Sequence, residues 1–525
     1  MLQGWGWIKQ LTLAVVAMGL VLRFANLDRK VYWHDEVYTS LRAAGYQGPV
    51  VEQAVADRPD LTALDLMRYQ QLPPTPSLAD CWQALSANPE HPPLYYLLVH
   101  GWGRLWGASV GGYRAIAAIF GAMALPLIFW LTRQLFPQHP RTAWLATALL
   151  AVSPVHLVYS QEAREYTLWI VGLLLANGTL VRALRQKSSM DWIVYGLALG
   201  LTWYGSLMTV LLGLSHLGFM VLSERRSRAW GGFVLAQILG LLLFLPWIGT
   251  IIDRWQRLQA VTAWTRAPAP LGYLAQRWRM HYSVVGLDFN HPYDHPWTVL
   301  GAILVAGLGA IALVCLWRSY PRSTALFLGC GLLIPPLVLI GNDVIRADQL
   351  SRNTRYLFPS LVLVPIAIAV LISHWLTRSQ RWVRRGAAGL LLLLLALGLA
   401  SGVSYQQANT WSNKGFSATN RLIADDINQM PDPMVIVNPS NISLGEAISL
   451  SYYLRPETSM WLLSEPVLPS PEALQIAHPR GALVIYKPDS ALLKTLSPEW
   501  QTIEAAPSVQ FFPHDLVTLI PPSES

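Results

Sequence analysis

Charge is scarce in this 525-residue chain. Asp, Glu, Lys and Arg together make up 13% of it and hydrophobic residues 53%, where soluble domains carry about a quarter charged. That excludes an ordinary soluble protein, and a mean hydropathy of +0.35 fits a polytopic membrane protein. Cysteine is scarce too. Cys81, Cys315 and Cys330 lie far apart, with neither metal-ligand spacing nor a disulfide framework, and read as packing residues. Acids are outnumbered, giving a net charge of +8. The basic residues sit in short clusters between apolar runs, as membrane topology demands, so nucleic acid is not the expected partner. The first apolar run has no Ala-x-Ala cleavage site and reads as an uncleaved anchor.

What is present is a series of apolar runs, at 8–26, 113–132, 142–159, 166–184, 191–204, 205–223, 229–251, 297–317, 323–342, 356–377 and 386–405. These make eleven expected spans near the ~20 residues a crossing needs, apart from a short pair around Trp203-Tyr204-Gly205. The 23 tryptophans suit an interfacial belt, with Trp5, Trp7, Trp247, Trp297 and Trp317 near span ends. Residues 94–106 are apolar but short and contain His100 and Arg104, which favours an interfacial helix over a crossing. That choice places Arg133 and Arg141; Arg182, Arg185 and Lys187; Arg225, Arg226 and Arg228; Arg318 and Arg322; and Arg378, Arg381, Arg384 and Arg385 on the cytoplasmic side. The N-terminus is then cytoplasmic.

The expected fold class is mainly α, a polytopic bundle of about eleven transmembrane helices over residues 1–405, with a large first outer loop at 27–112. After 405 the apolar runs shorten to strand length, at Met434–Val437, 482–486 and Leu516–Ile520, with helical patterns between them. Residues 406–525 therefore read as a small α/β domain on the outer face, without a glycine-rich phosphate loop.

The stretch Tyr32-Trp33-His34-Asp35-Glu36-Val37-Tyr38 puts two adjacent carboxylates where the first span ends. The topology brings it to the same outer side as Ser160-Gln161-Glu162-Ala163-Arg164-Glu165-Tyr166, the loop at 252–296, and the loop at 343–355 that leads into Tyr356. No nucleotide-sugar pool exists on that side, so a transferase there needs a donor carried through the bilayer, such as a polyprenyl-phosphate sugar. It also needs a carboxylate to take a proton from the acceptor and cations to hold the departing phosphate. Asp35 suits the first role, and Arg355, Arg352, Arg164 and His91 the second.

These motifs, with His91-Pro92-Pro93-Leu94-Tyr95-Tyr96 and Arg355-Tyr356-Leu357-Phe358-Pro359, resemble the GT-C glycosyltransferases of the protein O-mannosyltransferase and aminoarabinose-transferase type (glycosyltransferase family 39-like). The resemblance covers residues 1–405. It implies that Asp35 is the catalytic base, with Glu36 supporting it or contacting a metal. It further implies that His91 helps bind the lipid phosphate, that Glu162 faces the cavity beside Arg164 and Tyr166, and that Arg355, next to Tyr356, meets the phosphate. Some relatives carry an arginine three residues after the catalytic acid; this chain has Tyr38, so one phosphate contact must come from elsewhere. No soluble cofactor is implied. A divalent cation, Mg or Mn, is used by some of these enzymes, and Asp35, Glu36 and Glu162 are the ligands to expect if one is bound. His281, Asp288, His291, Asp294 and His295 read as a solvated loop or acceptor contact, and Asp343 and Asp348 likewise.

The expectation is an integral membrane glycosyltransferase of the plasma (inner) membrane with a periplasmic active site. It would transfer a hexosyl or pentosyl group from a polyprenyl-phosphate donor, with inversion, to a protein, lipid or glycan acceptor. The alternatives are a polyprenyl-linked polysaccharide polymerase or ligase, and a lipid-linked sugar transporter or flippase. Membrane lipids are the other expected partners.

Overall fold

In hydrocarbon an open chain segment satisfies its own backbone polar groups by coiling, so long apolar runs become helices. The computed structural model describes residues 6–223, 229–438, 444–470, 473–474, 476, 482–495, 501–504 and 516–520. Trp5 and the cluster Arg225, Arg226 and Arg228 lie outside the described residues. Among the described residues eight helices are long and apolar enough to cross a membrane: Gly6–Phe24, Val110–Leu135, Tyr166–Gln186, Ala229–Asp253, Pro296–Ser319, Arg322–Arg346, Thr354–Leu376 and Arg381–Gln407. The pair Pro140–Val152 and Pro154–Ser160, bent by 57°, makes a ninth if its two helices count as one span. The two remaining expected spans are the 15-residue helices Ser189–Trp203 and Thr209–Ser223. At ~1.5 Å per residue these fall short of a ~30 Å slab, the shortness already visible in the sequence.

The chain divides into two units. One comprises 1–27, 86–95 and 114–407; the other comprises 28–85, 96–113 and 408–525. Residues 28–85 and 96–113, expected with the spans, thus group with the C-terminal segment.

In the first unit the bend at Pro154 has a specific support. Proline has no N–H, so the Leu150 carbonyl loses its donor four residues on and takes the Ser153 N–H at 3.3 Å instead. The buried Arg23 of helix Gly6–Phe24 adds further donors, to Ala151 O at 2.6 Å, Leu150 O at 3.3 Å and Gly19 O at 2.9 Å. Gly19 allows this approach, since a Cβ there would collide with the Ala151 carbonyl. Arg23→Met is expected to cost roughly 1–3 kcal/mol for each carbonyl left without a donor. The loss would appear as a lowered Tm of the detergent-solubilised protein, and an unchanged Tm would refute this account of the bend.

The second unit contains a six-stranded sheet. Its strands are β1 (Leu61–Thr62), β2 (Met434–Val437), β3 (Ser459–Leu462), β4 (Leu483–Tyr486), β5 (Gln501–Glu504) and β6 (Leu516–Ile520), in the order β1-β3-β2-β4-β6-β5. The strand-length runs of the C-terminal segment are all strands, and the first loop adds β1, which pairs Leu61 with Met460. Strands β2, β3 and β4 are parallel. Fully buried Met-Val-Ile-Val and Leu-Val-Ile-Tyr suit central strands covered on both faces. The first loop is not merely polar coil. It forms helices His34–Ala43, Gly48–Val55, Ala63–Met67 and Leu78–Ser86. Residues 94–106 are one 13-residue helix, too short to cross, with Leu105 and Trp106 strongly exposed.

Candidate active site

The turn at 161–165 joins helices Pro154–Ser160 and Tyr166–Gln186, and it brings two of the expected residues together. Arg164 and Glu165 form a buried pair, Nε to Oε2 at 3.2 Å and Nη2 to Oε1 at 3.3 Å, with side chains 1% and 5% exposed. His91 approaches from the segment before Pro92, its Nδ1 3.1 Å from Glu165 Oε1. Arg164 Nη2 lies 3.2 Å from both ring nitrogens of His91. Burial pushes the Glu165 carboxyl up, but Arg164 and His91 outweigh it and hold the group down at about 2. The His91 pKa is lowered, first by burial and then by the Arg164 charge. Both effects favour the neutral ring of His91, and the positive charge of this cluster resides on Arg164.

Tyr166 links this pair to the late span. Its ring has the Arg164 guanidinium 5.7 Å from its centroid and that of Arg355 at 5.3 Å, while Arg355 also lies 5.8 Å from the ring of Tyr356. Tyr159 and Phe358 complete the aromatic packing, with edge contacts at 5.3 Å to Tyr166 and 4.9 Å between themselves. Such rings hold guanidinium groups in place without neutralising them. Glu162, expected to face the cavity, is fully buried in the same turn.

Arg352 lies beside Arg277, which sequence reasoning did not single out. Arg277 Nε donates to the Arg352 carbonyl at 3.3 Å. Each guanidinium stands by a tyrosine, Arg277 by Tyr293 at 5.1 Å and Arg352 by Tyr273 at 6.0 Å. Among the described residues neither forms an ion pair with a carboxylate, and both are half-buried. The surrounding backbone is fixed by groups expected to be solvated. Asp343 is fully buried and accepts from Leu350 N at 2.8 Å, Ser351 N at 2.8 Å and Ser351 Oγ at 2.6 Å. His281, also fully buried, pairs Nδ1 with Thr354 Oγ1 and Nε2 with Ser351 O, both at 2.8 Å. The solvated-loop reading of His281 and Asp343 is corrected: each is buried because backbone and hydroxyl groups of residues 350–354 meet its hydrogen-bonding capacity. Asp288 is half-buried in the turn after helix Leu271–Gly286, where it accepts from Tyr405 Oη and from Asn290 N. His291 and His295 stack on each other at 4.1 Å.

In the second unit Asp35 and Glu36 occupy the first turn of helix His34–Ala43, where carboxylates suit the positive end of the helix. Their environments differ. Glu36 is fully buried and turns back so that its Oε2 accepts the Trp33 N–H at 3.3 Å, an arrangement of the capping-box kind. Asp35 is half-buried. Position 38 is a tyrosine, whose ring has Arg42 at 5.4 Å. Among the described residues no three His, Cys, Asp or Glu side chains are gathered as a metal site requires.

The family model described as dolichyl-phosphate-mannose-protein mannosyltransferase matches residues 90–249, which begin at Glu90-His91-Pro92-Pro93. No curated protein sequence matches the chain. Among solved structures the chain is similar to ArnT from Cupriavidus metallidurans bound to undecaprenyl phosphate, at 13% identity and a TM-score of 0.55, covering 98% of each chain. It is also similar to the oligosaccharyltransferase AglB from Archaeoglobus fulgidus in complex with an inhibitory peptide and a dolichol-phosphate. Here the identity is 10%, the TM-score 0.50, and the coverage 93% of this chain and 70% of that one.

Proposed function

Starting from a multi-pass membrane protein of the GT-C fold, related to the glycosyltransferases of that type, we propose that the chain transfers a sugar from a polyprenyl-phosphate donor to an acceptor nucleophile on the extracytoplasmic side. The observation that carries this reading is the set of guanidinium groups on tyrosines in the first unit: Arg164 and Arg355 on Tyr166, and Arg277 and Arg352 on Tyr293 and Tyr273. A tyrosine-lined group of arginines, with Arg164 buried and Arg277, Arg352 and Arg355 half-buried, suits an oxyanion that gains charge as it leaves. Two structures sharing this fold hold polyprenyl phosphates.

Asp35 takes the proton of the acceptor hydroxyl as its oxygen attacks the anomeric carbon from the face opposite the phosphate. The carbon–oxygen bond to phosphate breaks, the configuration inverts, and polyprenyl phosphate departs with the bonding electrons. The guanidinium groups stabilise that charge. The active side is the plasma-membrane face away from the cytoplasm. Among the described residues Asp35, Glu36 and Glu162 are not gathered as a divalent cation's ligands would be, and every step above belongs to the chain's own groups.

Mass spectrometry of lipid retained by the purified protein tests the donor class. A polyprenyl monophosphate bearing one sugar is expected. A diphosphate-linked oligosaccharide would point to a polymerase or ligase, and retention of phospholipid alone, with no binding of added undecaprenyl phosphate, would overturn the reading.

A further inference from the structure

The N-terminus of helix His34–Ala43 is capped by a residue almost four hundred positions away. Trp33, the residue before the helix, gives no side-chain cap. The hydroxyl of Ser417 accepts the His34 N–H at 3.0 Å and donates its own proton to Glu446 Oε1 at 2.8 Å. Ser417 and Glu446 are both fully buried. Glu446 is further held by Tyr486 Oη at 2.8 Å and Lys487 Nζ at 2.7 Å, at the C-terminal end of β4, and His34 Nδ1 lies 4.0 Å from Oε1. Tyr486 and Ser449 both bond Asn420, and Ser449 Oγ donates to Tyr32 O at 2.6 Å. The chain thus bonds the residues on both sides of Trp33 to the outer sheet.

Two features mark this arrangement as more than packing. Ser417 has φ +59, a left-handed conformation that a serine adopts at a cost. That conformation belongs to the residue whose hydroxyl bridges the helix end and Glu446. In addition, burying a carboxylate is expensive unless it is paired and bonded, and here the bonds are spent beside the turn that carries Asp35.

We propose that Ser417 and Glu446 are positioning residues for Asp35: an external cap, supplied by the C-terminal segment, fixes the backbone that carries the base. The role rests on the proposed function of Asp35. Losing the Ser417 hydroxyl removes the acceptor of the His34 N–H and loosens the turn, so Asp35 is displaced from the position that proton transfer requires.

The test uses the full-length protein in lipid nanodiscs, read by release of polyprenyl phosphate from a polyprenyl-lipid extract at several extract concentrations, by retained lipid and by thermal unfolding. Ser417→Ala should lower the maximal release rate about tenfold to a hundredfold, as for a displaced catalytic group, with the half-saturating extract concentration, retained lipid and cooperative unfolding unchanged. Glu446→Gln, which keeps an acceptor for Ser417 but loses its charge pair with Lys487, should lower the maximal rate by less. An undiminished maximal rate in a cooperatively unfolding Ser417→Ala protein overturns the proposal. Loss of cooperative unfolding in both Ser417→Ala and Glu446→Gln assigns the cluster to the fold and overturns it equally. Failure of the base assignment itself would show separately, as undiminished transfer by Asp35→Asn.

Discussion

Asp35→Asn is expected to leave a folded, lipid-retaining protein whose transfer rate is lower by about 10²–10⁴-fold, the range a positioned general base supplies. Asparagine matches the shape of aspartate and suits the first turn of a helix, so helix His34–Ala43 should persist. What it loses is the ability to hold a proton. The neighbouring acid gives the contrast. Glu36 is buried with its carboxylate on the Trp33 N–H, so Glu36→Gln should act mainly on the helix end, at a cost of about 1 kcal/mol, with a smaller fall in rate. Both variants are read by thermal unfolding together with release of polyprenyl phosphate from a lipid extract. Equal losses in the two would assign the effect to the turn and not to the base, and full activity in Asp35→Asn would end its candidacy.

The second large effect belongs to Arg164. Its partner Glu165 is 5% exposed and ionised, so Arg164→Met strands a buried charge, at a cost of about 3–5 kcal/mol. Replacing both, as Arg164→Met with Glu165→Leu, removes the stranded charge and should recover much of that stability without recovering activity. A double-mutant cycle in Tm separates the two contributions. The pair also predicts a pH dependence. The Glu165 carboxyl is depressed from 4.5 to about 2 in the folded protein. Its contribution to stability is therefore complete above the unfolded value and is lost as pH falls from about 4.5 through about 2. An acid titration of Tm should show this fall in the wild type and not in the double variant.

The membrane helices were legible in the sequence because a crossing requires a long apolar run, and the chain has few charges to interrupt one. The bend at Pro154 was not placed, since the sequence does not tell whether a proline bends a span or merely opens a helix. In the turn at 161–165 the acids Glu162 and Glu165 are equally plausible from spacing, because the turn is not helical and carries no periodicity. The structure gives the ion pair to Glu165. His281 and Asp343 looked like loop polarity because composition cannot show that backbone and hydroxyl groups of residues 350–354 meet their hydrogen-bonding needs. Arg277 was hidden among the other basic residues of a long outer segment. Ser417 and Glu446 could not be found by local reading at all, for what gives them meaning is their contact with His34.

Strand β1 is two residues long and pairs with β3, which begins at Ser459. At about 5–20 residues per second, the ribosome finishes that partner roughly 20–80 s after Leu61 leaves the exit tunnel. Through that interval the early edge has no mate, and the turn bearing Asp35 has no Ser417 to close it. Maturation of this protein is thus tied to synthesis of its C-terminal segment, and a chain released before residue 417 would lack the hydroxyl that meets the start of helix His34–Ala43.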